Sequence, residues 1–293
     1  MIQTASISDQ GLRENLEDAC STLVFTRQAP SNREVGLGGV ADGVGGNLFG
    51  EICSVLGLNS VMSHCTSILT QEDWNSGRID PAVLLRDALE VANRAILARV
   101  AACPKMHGMA TTAVVALLMD DALHVASLGD SRCYVCGPEK IRRVTRDHSK
   151  VQEMIDAGLL SLKEAQCHPS AHVINRFLGH SGPLDADVRS CRLVAGDMVI
   201  LCTDGLTDVL TDEDILDWVQ RYRDGQMTLQ ELPRRLASDA LQMGSSDNVT
   251  VSCCEYHSPV IRHAPCSRRM TLTDAYAVNF AKALTSLKET ANA

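Results

Sequence analysis

The stretch VADGVGGN, residues 40–47, ends an apolar run with Asp42 and follows it at once with a glycine-dense turn. An apolar run of this kind predicts a buried strand, and a strand that breaks at its tip presents a side chain from a rigid edge. Asp42 is therefore the first candidate for an oxygen ligand of a metal ion.

Two other aspartates occupy comparable positions near the far end of the chain. Asp204 follows the apolar run VILCT and precedes Gly205, and Asp247 lies in the polar turn GSSDN before a β-branched run. Acidic residues are depleted from strands, and like charges gathered at one site repel each other unless a cation neutralises them. If the three carboxylates converge, a divalent cation is expected between them.

The composition excludes some classes of partner. The chain has 293 residues and a formal charge of −9, which argues against binding to nucleic-acid phosphates. Residues 1–15 have neither a basic start nor a continuous apolar segment, and Asp120 and Asp121 interrupt the apolar region 110–128. Neither a signal peptide nor a membrane-spanning helix is predicted. We expect a cytoplasmic protein with no nucleic-acid or membrane partner.

The cysteines are consistent with that compartment. There are 12 of them, scattered through apolar runs, which is typical of small buried hydrophobic residues in a reducing environment. Cys133 and Cys136 form a single CxxC motif, and no second pair follows at the spacing of a zinc ribbon. A structural zinc site is therefore not expected.

Hydrophobic periodicity predicts strands and helices in alternating groups. Strands are predicted at 2–8, 21–26, 188–193, 198–203 and 248–255, with an antiparallel meander at 111–145. Helices are predicted at 47–69, 81–100, 212–222 and 228–243. This order predicts two packed sheets with helices outside them.

Two segments of the chain each allow two interpretations. Residues 148–172 predict two short helices around Gly158, with Ser161 as N-cap and Glu164 three residues later. This insert is either a flap over a site or an ordinary surface connection. Residues 257–293 predict a proline-punctuated linker and an amphipathic helix, which either docks on its own domain or binds a partner.

The candidate ligands are all hard oxygen donors, namely Glu17, Asp42, Asp204 and Asp247, with Asp130 in reserve. Such a set suits Mg²⁺ or Mn²⁺ better than zinc. Two ions that share a carboxylate can lower the pKa of a water molecule between them toward about 7, which produces a hydroxide able to attack phosphorus. Taken alone, Asp130 is more typical of a turn aspartate that caps backbone amides.

Arg13 lies four residues before Glu17. Its planar guanidinium could hold phosphate oxygens while the metal ions offset the charge of the transition state. An ion pair in a solvated turn is the alternative interpretation.

A series of ordered blocks over about residues 1–256 resembles the metal-dependent PP2C (PPM) family of serine/threonine phosphatases, most closely its compact bacterial members. The blocks are SDQGLRENLEDA, VADGVGG, GMATTAVVALL, HVASLGDSRCYV, VTRDHS, INRFLG, LCTDGLTD and SSDNVTV. The resemblance implies an α+β fold, a four-layer α-β-β-α sandwich of two antiparallel sheets flanked by helices. It also implies a phosphatase domain at 1–256 with a flap insert at 148–172.

The resemblance assigns a role to each candidate ligand. Asp42 is similar to the ligand that bridges two metal ions. Glu17 and the carbonyl of Gly43 correspond to ligands of one ion, and Asp204 and Asp247 to ligands of the other.

Two more residues gain a role from the resemblance. Asp130 resembles a ligand of a third ion that Asp204 shares, and Arg13 corresponds to the arginine that binds phosphate. The implied function is a Mn²⁺- or Mg²⁺-dependent phosphatase that hydrolyses phosphoserine and phosphothreonine by attack of the metal-bridging hydroxide. It would act on phosphoprotein substrates and oppose a bacterial Ser/Thr kinase.

The sequence departs from the family pattern at two positions. Val44 and Asn47 stand where many members carry a histidine, so no side chain is identified as the general acid. This departure motivates an alternative hypothesis, a catalytically silent module of the same fold that binds phosphoproteins.

Overall fold

Two five-stranded antiparallel sheets lie at the centre of the computed structural model, which describes residues 1–26, 33–44, 49–71 and 78–257. The first sheet has the strand order β1-β10-β9-β6-β7, and the second has the order β2-β3-β4-β5-β8. The strands are β1 (Ile2–Asp9), β2 (Asp18–Thr26), β3 (Glu34–Asp42), β4 (Ala113–Met119), β5 (Ala122–Leu128), β6 (Arg132–Cys136), β7 (Ile141–Arg143), β8 (Asp187–Arg192), β9 (Met198–Cys202) and β10 (Val249–Tyr256).

Helices pack on the outer face of each sheet and also occur in the insert between β7 and β8. They are α1 (Gly50–Gln71), α2 (Pro81–Ala102), α3 (Lys150–Asp156), α4 (Leu162–Gln166), α5 (Asp204–Thr207), α6 (Asp212–Arg223) and α7 (Glu231–Gln242). One apolar cluster joins α1 and α2 to the second sheet, and another joins α6 and α7 to the first. A third cluster fills the space between the sheets. The predicted four-layer α-β-β-α sandwich is confirmed.

The helix starts follow local sequence signals. Asp80 precedes Pro81 and accepts hydrogen bonds from the amides of Ala82 and Val83, which satisfies donors that a helix start leaves free. At α6, Thr211 and Asp214 form a reciprocal capping box. Ser161 and Glu164 form the predicted box at α4.

The predicted meander from Thr111 is wrong in its second half. β4 and β5 pair through the Asp120–Asp121 turn, but β6 and β7 belong to the other sheet, where β6 pairs with β9. A period of two predicts a strand and does not identify its partner. The chain changes sheets at Gly129, whose φ of +97° suits glycine, and Asp130 therefore lies at the junction.

Three other predictions differ in how far the described residues test them. Helix α1 begins at Gly50 instead of Asn47, and residues 45–48 lie outside the described part of the chain. The linker and helix predicted at 257–293 also lie outside it, except for His257, which hydrogen-bonds to the Met1 backbone. Cys133 and Cys136 are buried in β6, and every cysteine among the described residues is a free thiol.

Among the described residues, one helix is long and apolar enough to cross a membrane by length and composition alone. This helix is α1, with 22 residues. Half of its most apolar window is buried inside the protein, against α2 and the second sheet. The same pattern is produced by the core helix of a globular protein.

We expect Leu85→Ala in α2 to lower the free energy of unfolding by about 2–5 kcal/mol, because Leu85 is fully buried and its truncation leaves a cavity. Val83 is 49% exposed on the same helix, so Val83→Ala is the matched control and should change stability by no more than about 0.5 kcal/mol. Urea unfolding measures both. Equal losses from the two variants would contradict the placement of α2 on the sheet.

Candidate metal centre

Asp42 and Asp18 face each other across the paired ends of β3 and β2. The backbone of Asp42 is held by two threonines. Its N–H donates to Thr112 Oγ1 at 2.9 Å, and its carbonyl accepts from Thr111 Oγ1 at 2.7 Å and from the Thr112 amide at 2.9 Å. The Asp42 side chain is therefore presented from a strand tip with little backbone freedom, as predicted.

Asp204 begins α5 directly after β9 and meets Asp42 from the first sheet. The two carboxyl groups are close enough to share a hydrogen bond, and Asp204 Oδ1 is buried without a hydrogen-bond partner. Gly205 cannot carry a side chain here, because a Cβ atom would overlap the carbonyl oxygen of Asn248. The Asp-Gly pair thus brings Asp204 close to the Asp247–Asn248 turn.

Asp247 lies at the rim of the same site with its side chain 36% exposed. Asp247 Oδ2 accepts a hydrogen bond from Arg13 Nη2 at 2.7 Å, and Arg13 Nε donates to the Ser246 carbonyl at 3.1 Å. The neighbouring Asn248 is buried and binds the loop before β2, since its Oδ1 accepts from the Glu17 amide at 2.7 Å. Arg13, Glu17 and Asp247 are therefore brought together by one turn.

Glu17 and Gly43 converge as the sequence predicted. The Gly43 amide donates to the Glu17 carbonyl at 3.1 Å. A Cβ atom placed on Gly50 would lie 3.1 Å from Glu17 Oε2 and 3.2 Å from the Gly43 carbonyl oxygen. Both oxygens thus line the space beside Gly50, which the side chain of any other residue would occupy.

Asp130 reaches the site from the junction between the sheets. The charge of Asp204 acts on its buried carboxyl group. Ser131 follows it, and Ser131 Oγ lies 2.7 Å from Thr112 Oγ1, so the Asp130 turn is tied to the threonine that holds Asp42. Asp130 is therefore held close to Asp204 and to the threonine that positions Asp42.

Burial and mutual repulsion raise the pKa values of these carboxyl groups. Burial is the main cause for both Asp42 and Asp130, and the charge of Asp204 is the next, so both pKa values stand well above the usual range. Burial also raises the pKa of Glu17 and of Asp204. A cluster of this kind is unfavourable when ionised unless cations neutralise it.

The residues present fit divalent cations. The donors are carboxylate and carbonyl oxygens, which Mg²⁺ and Mn²⁺ prefer, and the unpaired Asp204 Oδ1 is a buried acceptor with no donor. All of the predicted ligands lie at the same end of the sandwich.

Comparison with known proteins identifies the family. The family model described as Protein phosphatase 2C matches residues 11–241. The chain belongs to the protein phosphatase 2C family. It is a phosphoprotein phosphatase by class, and the resemblance carried by the sequence blocks is confirmed.

Two relatives show how far the similarity extends. The chain is 34% identical to the serine/threonine protein phosphatase PstP of Mycobacterium tuberculosis over 253 residues, which cover 86% of this chain and 44% of PstP. It is 29% identical to the serine/threonine phosphatase stp of Listeria monocytogenes over 219 residues, covering 74% of this chain and 82% of that protein. The chain thus spans less than half of PstP but most of the Listeria protein.

A solved structure of the PstP catalytic domain in complex with two manganese ions has a similar fold. Its TM-score is 0.69 at 31% identity, with 87% of this chain and 97% of that chain covered. The similarity extends over nearly the whole of that domain. This protein phosphatase 2C member thus shares its overall fold with a manganese-bound relative.

Three residues of the site were not among the sequence predictions. Asp18 is buried and accepts a hydrogen bond from Thr203 Oγ1 at 2.8 Å. Asp208 lies one helical turn after Asp204, and partial burial together with the Asp204 charge raises its pKa to about 6. His172 extends from the insert, with Nδ1 3.6 Å from Asp208 Oδ2.

A sequence signal existed for only some of these residues. Asp208 could have been found from its spacing of four from Asp204, which places both on one helical face. Asp18 is adjacent to Glu17 in the quoted block, but its burial depends on strand register. No local pattern indicates His172, because only the folded insert brings it to Asp208.

The insert at 148–172 is attached beside the site. Arg146 pairs with Asp156 of α3, and Asn175 Nδ2 donates to Glu153 Oε1 at 2.5 Å. The exposed His172 imidazole, Asp204 and Asp208 have ligand atoms within 4.8 Å of one another. The insert therefore lies next to Asp204 and Asp208.

In the metal-free protein, Asp18→Asn should raise stability at neutral pH. Burial raises the pKa of Asp18 to about 7, against hydrogen bonds from Thr250 and Thr203 that lower it. The folded protein therefore holds this proton more tightly than the unfolded chain, and wild-type stability falls as the pH rises from about 4 to about 7. The difference between the Asp18 pKa in the folded and unfolded states corresponds to at most about 4 kcal/mol in the free energy of unfolding.

Urea unfolding of chelator-treated protein across this pH range measures the effect. The gain from Asp18→Asn should grow with pH and disappear near pH 4. Asp217→Asn, at an exposed position of α6 paired with Arg221, should show no such growth. A gain from Asp18→Asn that is constant with pH would contradict the buried, proton-binding role of Asp18.

Proposed function

We propose that this chain hydrolyses phosphoserine and phosphothreonine in proteins with the help of two Mn²⁺ or Mg²⁺ ions. The observation that carries the proposal is the convergence of Asp42 and Asp204 from different sheets, together with the buried Asp204 Oδ1 that has no hydrogen-bond partner. The names of the relatives and the two manganese ions of the PstP domain support it.

The residues divide into two ligand groups around Asp42. Glu17 and the Gly43 carbonyl would hold one ion, Asp204 and Asp247 the other, and the Asp42 carboxylate would serve both. When bound, such ions neutralise the carboxylates and acidify the water molecule that attacks phosphorus. Asp130, together with Asp204, would complete a third position.

The protein supplies orientation and charge through its own groups. Hydrogen bonds from Thr111 and Thr112 fix the Asp42 backbone, so the central ligand does not have to be ordered when substrate arrives. Arg13 is half exposed at the rim, where its guanidinium can bind the phosphate oxygens and stabilise their charge. The flap brings the His172 imidazole close to the same opening.

The alternative hypothesis, a catalytically silent phosphoprotein-binding module, has no observation in its favour. It would be supported by the loss of a ligand carboxylate, and each predicted position carries its expected residue. Val44 supplies no proton donor, but this departure concerns the leaving group and leaves the ligand set complete.

Two further statements belong to the proposal. The substrates are phosphoproteins made by a Ser/Thr kinase that this enzyme opposes, since the relatives are named serine/threonine phosphatases. The location is the cytoplasm, which the buried free thiols among the described residues support, because reduced cysteines persist there.

Asp42→Asn and Asp204→Asn should each lower hydrolysis of p-nitrophenyl phosphate and of phosphothreonine peptides by at least about a hundredfold, because even loss of a residue that supports a metal ligand costs 10–100-fold. Chelator should abolish wild-type activity, and Mn²⁺ should restore it. Asp217→Asn, at the exposed position on α6, is the control and should retain full activity. Activity that survives chelation, or that survives both ligand substitutions, would refute the proposed function.

Arg13→Ala should raise the KM for a phosphothreonine peptide by about tenfold or more, because a hydrogen bond between charged groups contributes about 1.5–3 kcal/mol. The KM of Arg13→Lys should lie between those of wild type and Arg13→Ala, since lysine keeps the charge but lacks the planar guanidinium. Steady-state kinetics at saturating Mn²⁺ gives the KM, and calorimetry gives the Mn²⁺ affinity. An unchanged KM with weakened Mn²⁺ binding would show that Arg13 serves only to hold Asp247.

A further inference from the structure

The turn that carries Asp130 depends on the conformation of Gly129. Its φ of +97° lies in the left-handed region, and a Cβ atom on this residue would come within 2.6 Å of Thr112 Cγ2. Thr112 also hydrogen-bonds to the Asp42 backbone and contacts Ser131. One side of Gly129 is therefore closed by the residue that positions two candidate ligands.

His148 closes the other side of Gly129 with two hydrogen bonds. The His148 amide donates to the Gly129 carbonyl at 2.9 Å, and the Gly129 amide donates to His148 Nδ1 at 3.2 Å. The imidazole is completely buried, with a side-chain exposure of 0%. Because Nδ1 accepts a hydrogen bond, the proton of the neutral ring lies on Nε2.

Charged groups surround Nε2, and most of them come from the segment that follows the flap. Nε2 lies 3.5 Å from Asp187 Oδ2, and Arg176 pairs with Asp187 and with Asp185. Arg146 is the other cation near the ring. Burial lowers the pKa of His148, which favours the neutral ring that the Nδ1 contact requires.

His148 also joins the two ends of the flap. Its carbonyl accepts from the Asn175 amide at 2.9 Å, and the next residue, Ser149, caps α3. His148 thus contacts the flap base through its backbone and the Gly129–Asp130 turn through its backbone and its imidazole.

We propose that His148 is a positioning residue that holds the Gly129 peptide, aims the Asp130 carboxylate at Asp204 and couples this ligand to the base of the flap. The inference rests on the metal-dependent function proposed above. His148 does not touch substrate or metal, and it acts through the Gly129 amide. Its removal should therefore weaken metal binding.

Three substitutions separate the hydrogen bond from packing. His148→Asn keeps an acceptor near the position of Nδ1, His148→Gln moves its polar atoms toward the position of Nε2, and His148→Leu fills the space without a polar atom. We expect Mn²⁺ affinity, measured by calorimetry, to fall about tenfold in the leucine and glutamine variants. The Mn²⁺ affinity of the asparagine variant should stay within about threefold of wild type, because this variant keeps an acceptor for the Gly129 amide.

The matched control is His124, a partly buried histidine of β5. Its Nδ1 lies 2.8 Å from Ser190 Oγ, away from the carboxylates. His124→Leu should leave Mn²⁺ affinity unchanged. Equal weakening by all three His148 variants, or no weakening by His148→Leu, would overturn the proposal.

A readout in the metal-free protein keeps this test independent of the proposed function. Amide hydrogen exchange by NMR should show the Gly129 N–H protected in wild type and in His148→Asn, but exposed to exchange in His148→Leu. If wild type binds no Mn²⁺ and hydrolyses no phosphopeptide, the proposed function fails, while the Gly129 amide still reports the hydrogen bond. A Gly129 amide that exchanges equally in wild type and His148→Leu would overturn the positioning role itself.

Discussion

The repulsion among buried carboxylates is the interaction on which the rest of the structure depends. Asp42 and Asp204 come from different sheets and meet where water is largely excluded, and Asp18 and Asp130 add to the same negative field. No folded chain gathers such groups without compensation, because each loses hydration and gains like-charged neighbours. The sandwich supplies the rigidity that keeps them together, and hard cations supply the charge that makes the arrangement favourable.

Backbone contacts provide that rigidity at the sites where the carboxylates leave the sheets. Thr112 serves both Asp42 and the Asp130 turn, and Asn248 binds the loop that carries Glu17. Glycines at positions 43 and 205 permit close approaches that a side chain would block. The geometry of the metal centre is thus fixed mainly by short polar contacts between turns, while the two apolar layers outside the sheets hold the strands that bear them.

The sequence was sufficient to predict the layers and most of the candidate ligands that the fold brings together. Asp42, Asp204 and Asp247 could be predicted because each lies where a strand ends or begins and has a distinctive turn beside it. The sheet to which β6 belongs could not be predicted, since strand periodicity carries no information about the partner strand. The burial of Asp18 depends on the register between β2 and β3, and the contact of His172 with Asp208 depends on how a long insert folds back. These are tertiary properties with no local signature.

The most direct test of the account is an anomalous-scattering map of a crystal grown with Mn²⁺. The account predicts manganese peaks within coordination distance of the Asp42 carboxylate, with Glu17 and the Gly43 carbonyl on one side and Asp204 and Asp247 on the other. Manganese bound elsewhere, or well-ordered carboxylates at this end of the sandwich with no manganese between them at saturating concentration, would contradict it.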